Sequence, residues 1–510
     1  MDALLICIFP ENWEIMSEHI LGIDIGTGST KAVALDDTGK VIYTTHASYP
    51  TLQPQPGYSE QAPELIWQAF VKCVNQSVTD LGQPRAIALS SAMHSLLPLD
   101  AQDMPLTDLI LWSDNRAAAI ADRIRKSASG EMLYEQTGTP IHAMSPVCKI
   151  VWLREQAPEV FNKTRKFISI KEYIWLKLFG VYEIDHSIAS ATGLFDIEKL
   201  VWNGNALTLA GLDIQQLSTP VSTGFVRVLE SKTVATQLQV SPGTRFVIGA
   251  SDGCLANLGS FALRKGIAAL TIGTSGAIRV TTDKPVFHFE AMTFNYRLDE
   301  ETFISGGPIN NGGVVLKWYA QNFLGLALDS GDDYDKLLQA VEAIPPGSDG
   351  VTFLPYLLGE RAPIWNSEAC GVFFGARTQH RQGHFTRAVL EGISMALYHV
   401  SRSLERDSSI AQINVSGGFV RSLPWVQLLT DIFGKPVCLV QAEDASATGA
   451  GYLAMRALGM IQRLDEIQPV GARMFYPDIA KHKVYAQDVF PRYRRLYEAL
   501  QPEMELLGQR

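Results

Sequence analysis

The sequence is poor in cysteine, and its few cysteines lie far apart. No two of the six form a Cys-x-x-Cys pair, which argues against a zinc module and against the dense disulfide framework of a small secreted domain. We therefore expect buried free thiols in a reducing compartment, and a cytoplasmic location. The six residues are Cys7, Cys73, Cys148, Cys254, Cys370 and Cys438.

A basic leader and a long apolar run are also missing. The short apolar stretch over residues 3–9 has no basic residue before it, because the first Lys or Arg of the chain is Lys31. A secretory signal needs a positive leader, and a membrane span needs about 20 apolar residues, so neither is predicted. Since Met16 stands just before the first strong strand, we expect residues 1–18 to be an extension outside the fold.

Positive charge is in deficit as well. The chain has 43 Lys and Arg against 53 Asp and Glu, which gives a formal net charge of −10. A general binder of nucleic acid or of anionic membranes needs a cationic surface, so neither partner is expected, although a local cluster of donors could still hold one small anion. With 46% hydrophobic and 19% charged residues, the 510-residue chain is globular in composition, and its length suggests about two to four domains.

Two segments repeat one pattern, an apolar strand followed by a Gly-Thr turn and a second strand. The first turn is at Gly26-Thr27, and the second is at Gly273-Thr274, about half a chain length later. Elsewhere strands and helices follow each other along the chain, as in mixed α/β proteins. The repeat predicts a duplicated fold, in which two α/β lobes present similar glycine turns to one cleft.

The first turn has the composition of a phosphate cradle. A glycine-rich turn exposes backbone N–H groups, and here three hydroxyls and an ammonium follow. The spacing matches neither a Walker loop nor the dinucleotide fingerprint, and an ordinary hairpin turn is the alternative. Asp24, just before the turn, could hold Mg²⁺ or could be a surface or capping aspartate. The cradle residues are Gly26, Thr27, Gly28, Ser29, Thr30 and Lys31.

Three further small-residue segments favour a nucleotide site. Residues 306–313 contain two glycine pairs before a predicted helix, and residues 416–422 begin with Ser416-Gly417-Gly418 directly after a predicted strand. Backbone can approach a flat ring or a phosphate closely at such places. Residues 445–451 open a helix with tiny side chains, for which tight helix packing is an equal alternative.

Two longer segments resemble the signatures of the FGGY carbohydrate kinases, in the sugar kinase/heat-shock/actin ATPase superfamily. The first is residues 144–156, and the second is residues 371–375 followed after a spacer by residues 384–391. Ala376 stands where the family usually has a larger aliphatic residue. Together with the Asp24–Lys31 run, the resemblance covers residues 19 to 500.

The resemblance implies an α/β fold of two ribonuclease-H-like, actin-like ATPase lobes, with mixed sheets flanked by helices and a cleft between them. Residues 19–258 would form the sugar-binding lobe with the first phosphate loop, residues 259–500 the nucleotide-binding lobe, and residues 501–510 a tail. It further implies ATP and Mg²⁺ as cofactors, a small sugar or sugar acid as partner, and a possible homodimer.

The resemblance also implies roles for individual residues. Asp252, in the run Ala250-Ser251-Asp252-Gly253, takes the position of the catalytic base that deprotonates the acceptor hydroxyl, and Asp24 would steer Mg²⁺. Nucleotide contacts are expected at Gly26, Thr27, Gly28, Ser29, Thr30, Lys31, Gly273, Thr274, Gly313, Lys317, Gly417, Gly418 and Ser422. Substrate contacts are expected at Met93, His94, Trp112, Asp114, Arg116, Lys149 and Asp252.

Several stretches are similar to the gluconate kinases within that family. They are residues 93–97, 137–142, 306–313 and 358–363. A sugar acid needs a cation for its carboxylate, and Arg116 and Lys149 could serve. Xylulose, ribulose and glycerol stay open as acceptors, because neutral polyols would use much of the same pocket.

Two alternatives from other classes remain. Gly249-Ala250-Ser251-Asp252-Gly253 also satisfies the Gly-x-Ser-x-Gly motif of serine hydrolases, with Ser251 as nucleophile and a histidine later in the chain. That interpretation leaves both glycine hairpins unexplained. A non-enzymatic ATP clamp, like the chaperones and actins that share the lobes, would not need the Met93-His94 and Trp112–Arg116 segments.

Overall fold

The computed structural model describes most of the chain. The described residues are 19–328, 337–339, 341, 343–406, 409–441, 444–469 and 471–508. The predicted extension over residues 1–18, with Cys7, and the last two residues of the predicted tail lie outside them.

A six-stranded mixed sheet forms the centre of the first half of the chain. Its middle strand, Ile20–Ile25, pairs antiparallel with Ser29–Leu35 across the first glycine turn and parallel with Ala86–Ser91 on the other side. The Ala86–Ser91 strand is in turn parallel to Arg245–Ser251. The spatial order is Val226–Val228, Arg245–Ser251, Ala86–Ser91, Ile20–Ile25, Ser29–Leu35 and Val41–Ser48.

A seven-stranded sheet in the second half repeats this arrangement. Ile267–Ile272 pairs antiparallel with Gly276–Thr282 across the second glycine turn and parallel with Gln412–Ser416. In both sheets three antiparallel strands are followed by two parallel ones, and the second sheet has one more antiparallel strand, Phe294–Arg297, at its edge. The shared pattern confirms the predicted duplicated α/β fold. The spatial order is Phe294–Arg297, Phe303–Ile309, Gly276–Thr282, Ile267–Ile272, Gln412–Ser416, Val437–Leu439 and Arg473–Phe475.

Smaller sheets of two strands complete the β-structure of the described residues. These pairs are Glu60–Gln61 with Leu109–Ile110, Leu97–Leu99 with Lys166–Ile168, Glu183–Asp185 with Thr219–Val221, Phe195–Asp196 with Val201–Trp202, and Thr352–Pro355 with Gly371–Phe374. The last pair contains the start of the second predicted signature.

Helices flank both sheets. The first long one begins at Pro63 with Glu64 in its first turn, as the sequence predicts, because proline costs no hydrogen bond there and an acid complements the helix dipole. In the first half the helices are Pro63–Leu81, Ala118–Arg125, Gly130–Thr137, Pro146–Gln156, Pro158–Lys163, Ile170–Phe179, His186–Ser190, Gly204–Ala210, Lys232–Gln237 and Asp252–Gly259. In the second half they are Gly313–Tyr319, Gln382–Leu404, Leu423–Phe433, Ala445–Ala457, Ile479–Val484 and Phe490–Gly508.

The two halves meet where the helix after the last parallel strand of each sheet crosses the other. A methyl group at Gly449 would lie 2.1 Å from the carbonyl oxygen of Leu255, and one at Gly259 would lie 2.0 Å from that of Ala445. Only glycine fits at such distances. Tight packing, one of the two interpretations of residues 445–451, is therefore what the structure shows.

The cysteines are consistent with the expected free thiols. Four of the five described cysteines are buried and Cys370 is half-buried, and all five are unpaired. In the described part of the chain, no helix combines the length and apolar character needed to cross a membrane.

Candidate active site

The first glycine turn is held rigidly by its neighbours. The Gly26 N–H donates to the Ser29 carbonyl at 3.0 Å, and the Trp112 indole Nε1 donates to the Thr27 Oγ1 at 2.9 Å. The Tyr49 hydroxyl donates to the Gly26 carbonyl. A methyl group at Gly28 would meet nothing within 4 Å, so the tip of the turn faces open space. The turn therefore has the accessible backbone that a phosphate needs.

The last two cradle residues differ in placement from what the sequence suggests. The Thr30 side chain is fully buried beneath the turn, away from its open tip. The Lys31 ammonium forms an ion pair of 2.5 Å with the Asp444 carboxylate, from the turn that begins the helix Ala445–Ala457. Asp444 was not predicted, and it joins the first phosphate turn to the second half of the chain.

The second glycine turn supports the start of a helix. Gly273 and Thr274 are exposed, and their carbonyls accept hydrogen bonds from the Gly313 N–H at 2.7 Å and the Val314 N–H at 3.2 Å. The N–H group of Gly313 is therefore occupied by the turn itself. Lys317 lies exposed one helical turn further on.

A third turn follows the neighbouring parallel strand. Gly417 has a φ of 101°, and a methyl group there would lie 2.6 Å from the Ile272 carbonyl, whereas Gly418 faces open space. Since strands Ile267–Ile272 and Gln412–Ser416 are parallel, their turns open at the same sheet edge. Ser422, however, is buried, and its Oγ accepts from the Trp425 N–H as a helix cap.

Asp252 begins the helix Asp252–Gly259, directly after the strand that ends at Ser251. Its Oδ1 accepts a 2.7 Å hydrogen bond from the Gly253 N–H. Burial raises the pKa of the Asp252 carboxyl to about 7; the negative charge of Asp24 also raises it, and the positive charge of Arg279 opposes the rise. A carboxylate with such a pKa is poised to accept a proton near neutral pH.

A bulge in the strand sets the direction of Asp252. Gly249 has a φ of 74°, and a methyl group there would lie 1.7 Å from the Leu89 carbonyl. The buried Lys171 ammonium donates to the Ala250 carbonyl at 2.9 Å and pairs with the Asp185 carboxylate at 2.6 Å. Lys171 was not predicted, although one lysine among the apolar residues of the helix Ile170–Phe179 is a visible signal.

Asp24 lies beside the first turn with a carboxylate suited to magnesium. Its Oδ1 accepts a 2.7 Å hydrogen bond from the Ser90 hydroxyl, and burial raises its pKa while that hydrogen bond and Lys31 lower it. Within the described ranges no group of three or more His, Cys, Asp or Glu side chains could hold a metal ion. Mg²⁺ is often bound by one or two protein carboxylates together with substrate phosphates, and the Asp24 carboxylate could be such a ligand.

Several predicted residues from both classes line one small cavity, which we call the Met93 cavity. Met93 and Trp112 border it together with Gly26 and Thr27 of the first turn. The Cε of Met93 lies 2.9 Å from where a methyl group on Gly253 would be, next to Asp252. The structure therefore brings the first phosphate turn, two substrate candidates and the candidate base together.

His94 and Lys149 are engaged by the protein. The His94 ring donates from Nδ1 to the Ala191 carbonyl at 2.7 Å and accepts at Nε2 from the Tyr296 hydroxyl at 3.0 Å. Burial lowers its pKa to about 3, so the ring is neutral. The Lys149 ammonium donates to the carbonyls of His94 and Leu111 at 2.6 Å each, and burial lowers its pKa to about 7. The polar atoms of both side chains are therefore used in hydrogen bonds within the protein.

Asp114 and Arg116 are likewise held by hydrogen bonds and ion pairs within the protein. The Asp114 carboxylate accepts from the Arg116 Nε at 2.8 Å and from the Ser59 N–H at 2.7 Å. The Arg116 guanidinium also pairs with Glu60 and lies 3.9 Å from the ring centre of Tyr58. The two cations that the sequence suggested for a substrate carboxylate, Arg116 and Lys149, therefore already have protein partners.

Arg279 was missed by the sequence analysis. Its Nε is buried, lies 3.4 Å from the position of a methyl group on Gly253, and has no hydrogen-bond partner among the described residues. The signal was a lone arginine in the otherwise uncharged strand Gly276–Thr282. No motif identified it, because its proximity to Asp252 arises only when the two halves meet.

Ser251 has the environment of a helix cap. Its fully buried Oγ accepts from the Ser187 hydroxyl at 2.8 Å and from the Cys254 N–H at 3.4 Å. A hydrolase nucleophile needs a histidine base and access to substrate, and the hydrogen bonds of this hydroxyl supply neither. The serine hydrolase interpretation is therefore wrong.

Two models of known families match consecutive segments of the chain. The N-terminal domain of the FGGY family of carbohydrate kinases matches residues 19–259, and the C-terminal domain of that family matches residues 268–458.

Individual relatives cover almost the full length. A gluconokinase of Bacillus subtilis (strain 168) is 40% identical over 496 residues, covering 95% of this chain and 97% of the relative. A xylulose kinase of Lactococcus lactis is 30% identical over 468 residues, covering 88% and 90%. Solved structures of a ligand-bound xylulose kinase and a gluconate kinase, both from Lactobacillus acidophilus, each share 34% identity, with TM-scores of 0.91 and 0.90. They cover 96% and 95% of this chain, and 100% and 98% of their own chains.

Proposed function

The chain belongs to the FGGY family of carbohydrate kinases and uses ATP as the family does, and from this membership we propose that it phosphorylates D-gluconate to 6-phosphogluconate. One observation carries the choice of acceptor. Identity to a gluconokinase is 40% over 95% of the chain, against 30% over 88% for the xylulose kinase of Lactococcus lactis.

In the proposed reaction Asp252 accepts the proton of the acceptor hydroxyl as that oxygen attacks the γ-phosphorus of ATP. Phosphoryl transfer has a loose transition state, so alignment and charge stabilisation dominate catalysis. The pKa of about 7 supports this role, because the carboxylate is both available and basic near neutral pH. The hydrogen bond from the Gly253 N–H fixes the orientation of the carboxylate.

The glycine turns would hold the phosphates from both sides. The open tip at Gly28 and the exposed Thr274 would supply backbone donors to phosphate, whereas the Gly273 N–H already donates to the Ser275 carbonyl at 2.9 Å. Lys31 would exchange its ion pair with Asp444 for a phosphate oxygen. Asp24 would hold Mg²⁺, which would neutralise phosphate charge when bound.

An acceptor panel tests the proposal. Purified protein with saturating Mg-ATP is assayed for ADP release with D-gluconate, D-xylulose, D-ribulose and glycerol, and the phosphorylated product is identified by mass spectrometry. We expect the highest kcat/KM with D-gluconate. Negligible activity on gluconate beside strong activity on another acceptor would refute the choice.

D-Xylulose is the second candidate. The structure of a ligand-bound xylulose kinase matches this chain with a TM-score of 0.91 and 34% identity, the same identity as the gluconate kinase structure. A backbone comparison alone therefore does not separate the two acceptors, whereas the panel does.

A further inference from the structure

We infer that Arg279, together with Arg361, forms the subsite that binds the carboxylate of a sugar-acid acceptor. This inference rests on the proposed function, because it explains how a kinase of this family would distinguish an acid from a neutral polyol. It reassigns the role that the sequence suggested for Arg116 and Lys149.

The Arg279 guanidinium has a hydrogen-bond donor that the protein does not use. Its buried Nε has no partner in the described part of the chain, and buried guanidinium groups are normally paired. Burial lowers the pKa of Arg279, and the nearby negative charge of Asp252 opposes this shift. A carboxylate from a ligand would supply the missing acceptor.

The Arg279 guanidinium lies close to the candidate base. The Arg279 Nε is 3.4 Å, and its Nη2 3.9 Å, from the position of a methyl group on Gly253, and the same position is 2.9 Å from the Cε of Met93. The guanidinium therefore lies beside Gly253, the residue that follows Asp252, and on the same side of it as the Met93 side chain. An acceptor whose hydroxyl reaches Asp252 would pass within reach of it.

Arg361 supplies a second cation on the same side. Its guanidinium lies 4.9 Å from the ring centre of Trp112, which borders the Met93 cavity. The Nε donates to the Asn310 Oδ1 at 2.7 Å and Nη2 donates to the Ile309 carbonyl, so the group is fixed in place. Its pKa is lowered to about 10, chiefly by burial and in small part by the positive charge of Arg279, while Glu360 opposes the shift. Two neighbouring buried guanidinium groups favour an anion between them.

The remaining cations do not compete for this role. Lys149 donates to two backbone carbonyls, and Arg116 is paired with Asp114 and Glu60. Breaking either set of contacts would leave a buried charge or carbonyl without a partner, which is costly. Arg279 can bind a carboxylate without losing a hydrogen bond at Nε.

The test compares an acid with its neutral analogue. D-Glucitol has the same six-carbon chain as D-gluconate, with a hydroxymethyl group in place of the carboxylate. Binding of both to the wild type, Arg279→Gln, Arg279→Lys and the surface control Arg463→Gln is measured by calorimetry, and kcat and KM are measured for gluconate and D-xylulose. Arg463 is suitable because its side chain is 73% exposed.

We expect Arg279→Gln to weaken gluconate binding and raise its KM by about 10- to 100-fold, the effect of losing a charge-assisted hydrogen bond. Glucitol binding and the KM for xylulose should change by less than about threefold. Arg279→Lys should retain part of the gluconate affinity, and Arg463→Gln should match the wild type. Equal losses for acidic and neutral acceptors, or none for gluconate, would overturn the inference.

A second measurement keeps the inference testable if Arg279→Gln fails to fold. In a crystal of the wild type with gluconate, a carboxylate oxygen should lie within hydrogen-bond distance of the Arg279 guanidinium, and a carboxylate directed at Lys149, Arg116 or solvent would contradict the subsite. Failure of the proposed function is distinguishable: the wild type would then prefer neutral acceptors. Failure of the inference alone leaves a wild type that prefers gluconate through other groups.

Discussion

The Oγ of Ser446 donates a 3.1 Å hydrogen bond to the backbone carbonyl of Asp252. The two residues lie in the first turns of the helices that follow the last parallel strand of each sheet, so equivalent points of the two halves touch. The candidate base is therefore tied to the second half by the backbone of its own residue.

The activity should depend on pH through the ionisation of Asp252. Its pKa is raised to about 7 by burial and by Asp24, while Arg279 and Lys171 oppose the rise. The base works only when deprotonated, so kcat/KM for the acceptor should rise with pH through a midpoint near pH 7 and reach a plateau about one pH unit above it. Below the midpoint it should fall about tenfold per pH unit. The measurement is a rate profile from pH 5 to pH 9 at saturating Mg-ATP.

A variant profile and the wild-type profile together test whether the pKa of Asp252 sets the pH dependence. In Arg279→Gln the midpoint should move to higher pH, because a positive charge that lowers the pKa of Asp252 is gone. A profile that is flat between pH 5 and pH 8 in the wild type would contradict the assignment of Asp252 as a base with a raised pKa.

The helix crossing should not tolerate a side chain at Gly449. A methyl group there would lie 2.1 Å from a backbone oxygen, so Gly449→Ala should lower the free energy of unfolding by about 1–3 kcal/mol, the usual effect of overpacking. Denaturant unfolding measures it. The control is Gly204→Ala, where a methyl group meets nothing within 4 Å and stability should not fall. Equal effects of the two substitutions would contradict the packing described for the crossing.

The fold could be predicted from the sequence because its signals are local, since each hairpin contains its own glycine turn. The small-residue turn after the strand Arg245–Ser251 was also visible, whereas the role of Asp252 as base is implied only by the family resemblance. The spacing of apolar residues likewise distinguishes short strands from amphipathic helices. The pairing of two such units into one cleft followed from the repeat of Gly26-Thr27 as Gly273-Thr274.

The roles of the polar side chains could not be predicted, for two physical reasons. The sequence shows that His94 and Arg116 can donate hydrogen bonds, but it does not show that Ala191 and Asp114 already accept them. Arg279 was missed because its distance to Gly253 is set by the contact between halves that are separate in the sequence.

Loss of the buried ion pair of Lys171 should lower the free energy of unfolding more than loss of a more exposed ion pair on the same helix. Lys171→Met leaves the Asp185 carboxylate, which is 1% exposed, without its cation and should cost about 3–5 kcal/mol of unfolding free energy. Lys177→Met removes a cation 30% exposed, paired with Glu64, and should cost less than about 1 kcal/mol. Both are measured by chemical denaturation.

A double variant checks the cause. If the loss arises from the uncompensated Asp185 charge, then Lys171→Met with Asp185→Asn, which keeps the oxygen that accepts from the Ile188 N–H, should recover part of the stability lost in the single variant. A double variant no more stable than the single one would instead indicate that the hydrogen bonds from Lys171 to the strand carry the effect.

The substitution Asp252→Asn is the sharpest test of whether Asp252 deprotonates the acceptor hydroxyl, because it keeps the shape of the side chain and removes its basicity. The measurement is kcat with saturating gluconate and Mg-ATP, accompanied by the affinity for ATP. We expect kcat to fall by about 10²- to 10⁴-fold and the ATP affinity to change by less than about threefold. Turnover close to that of the wild type would mean that Asp252 is not the base.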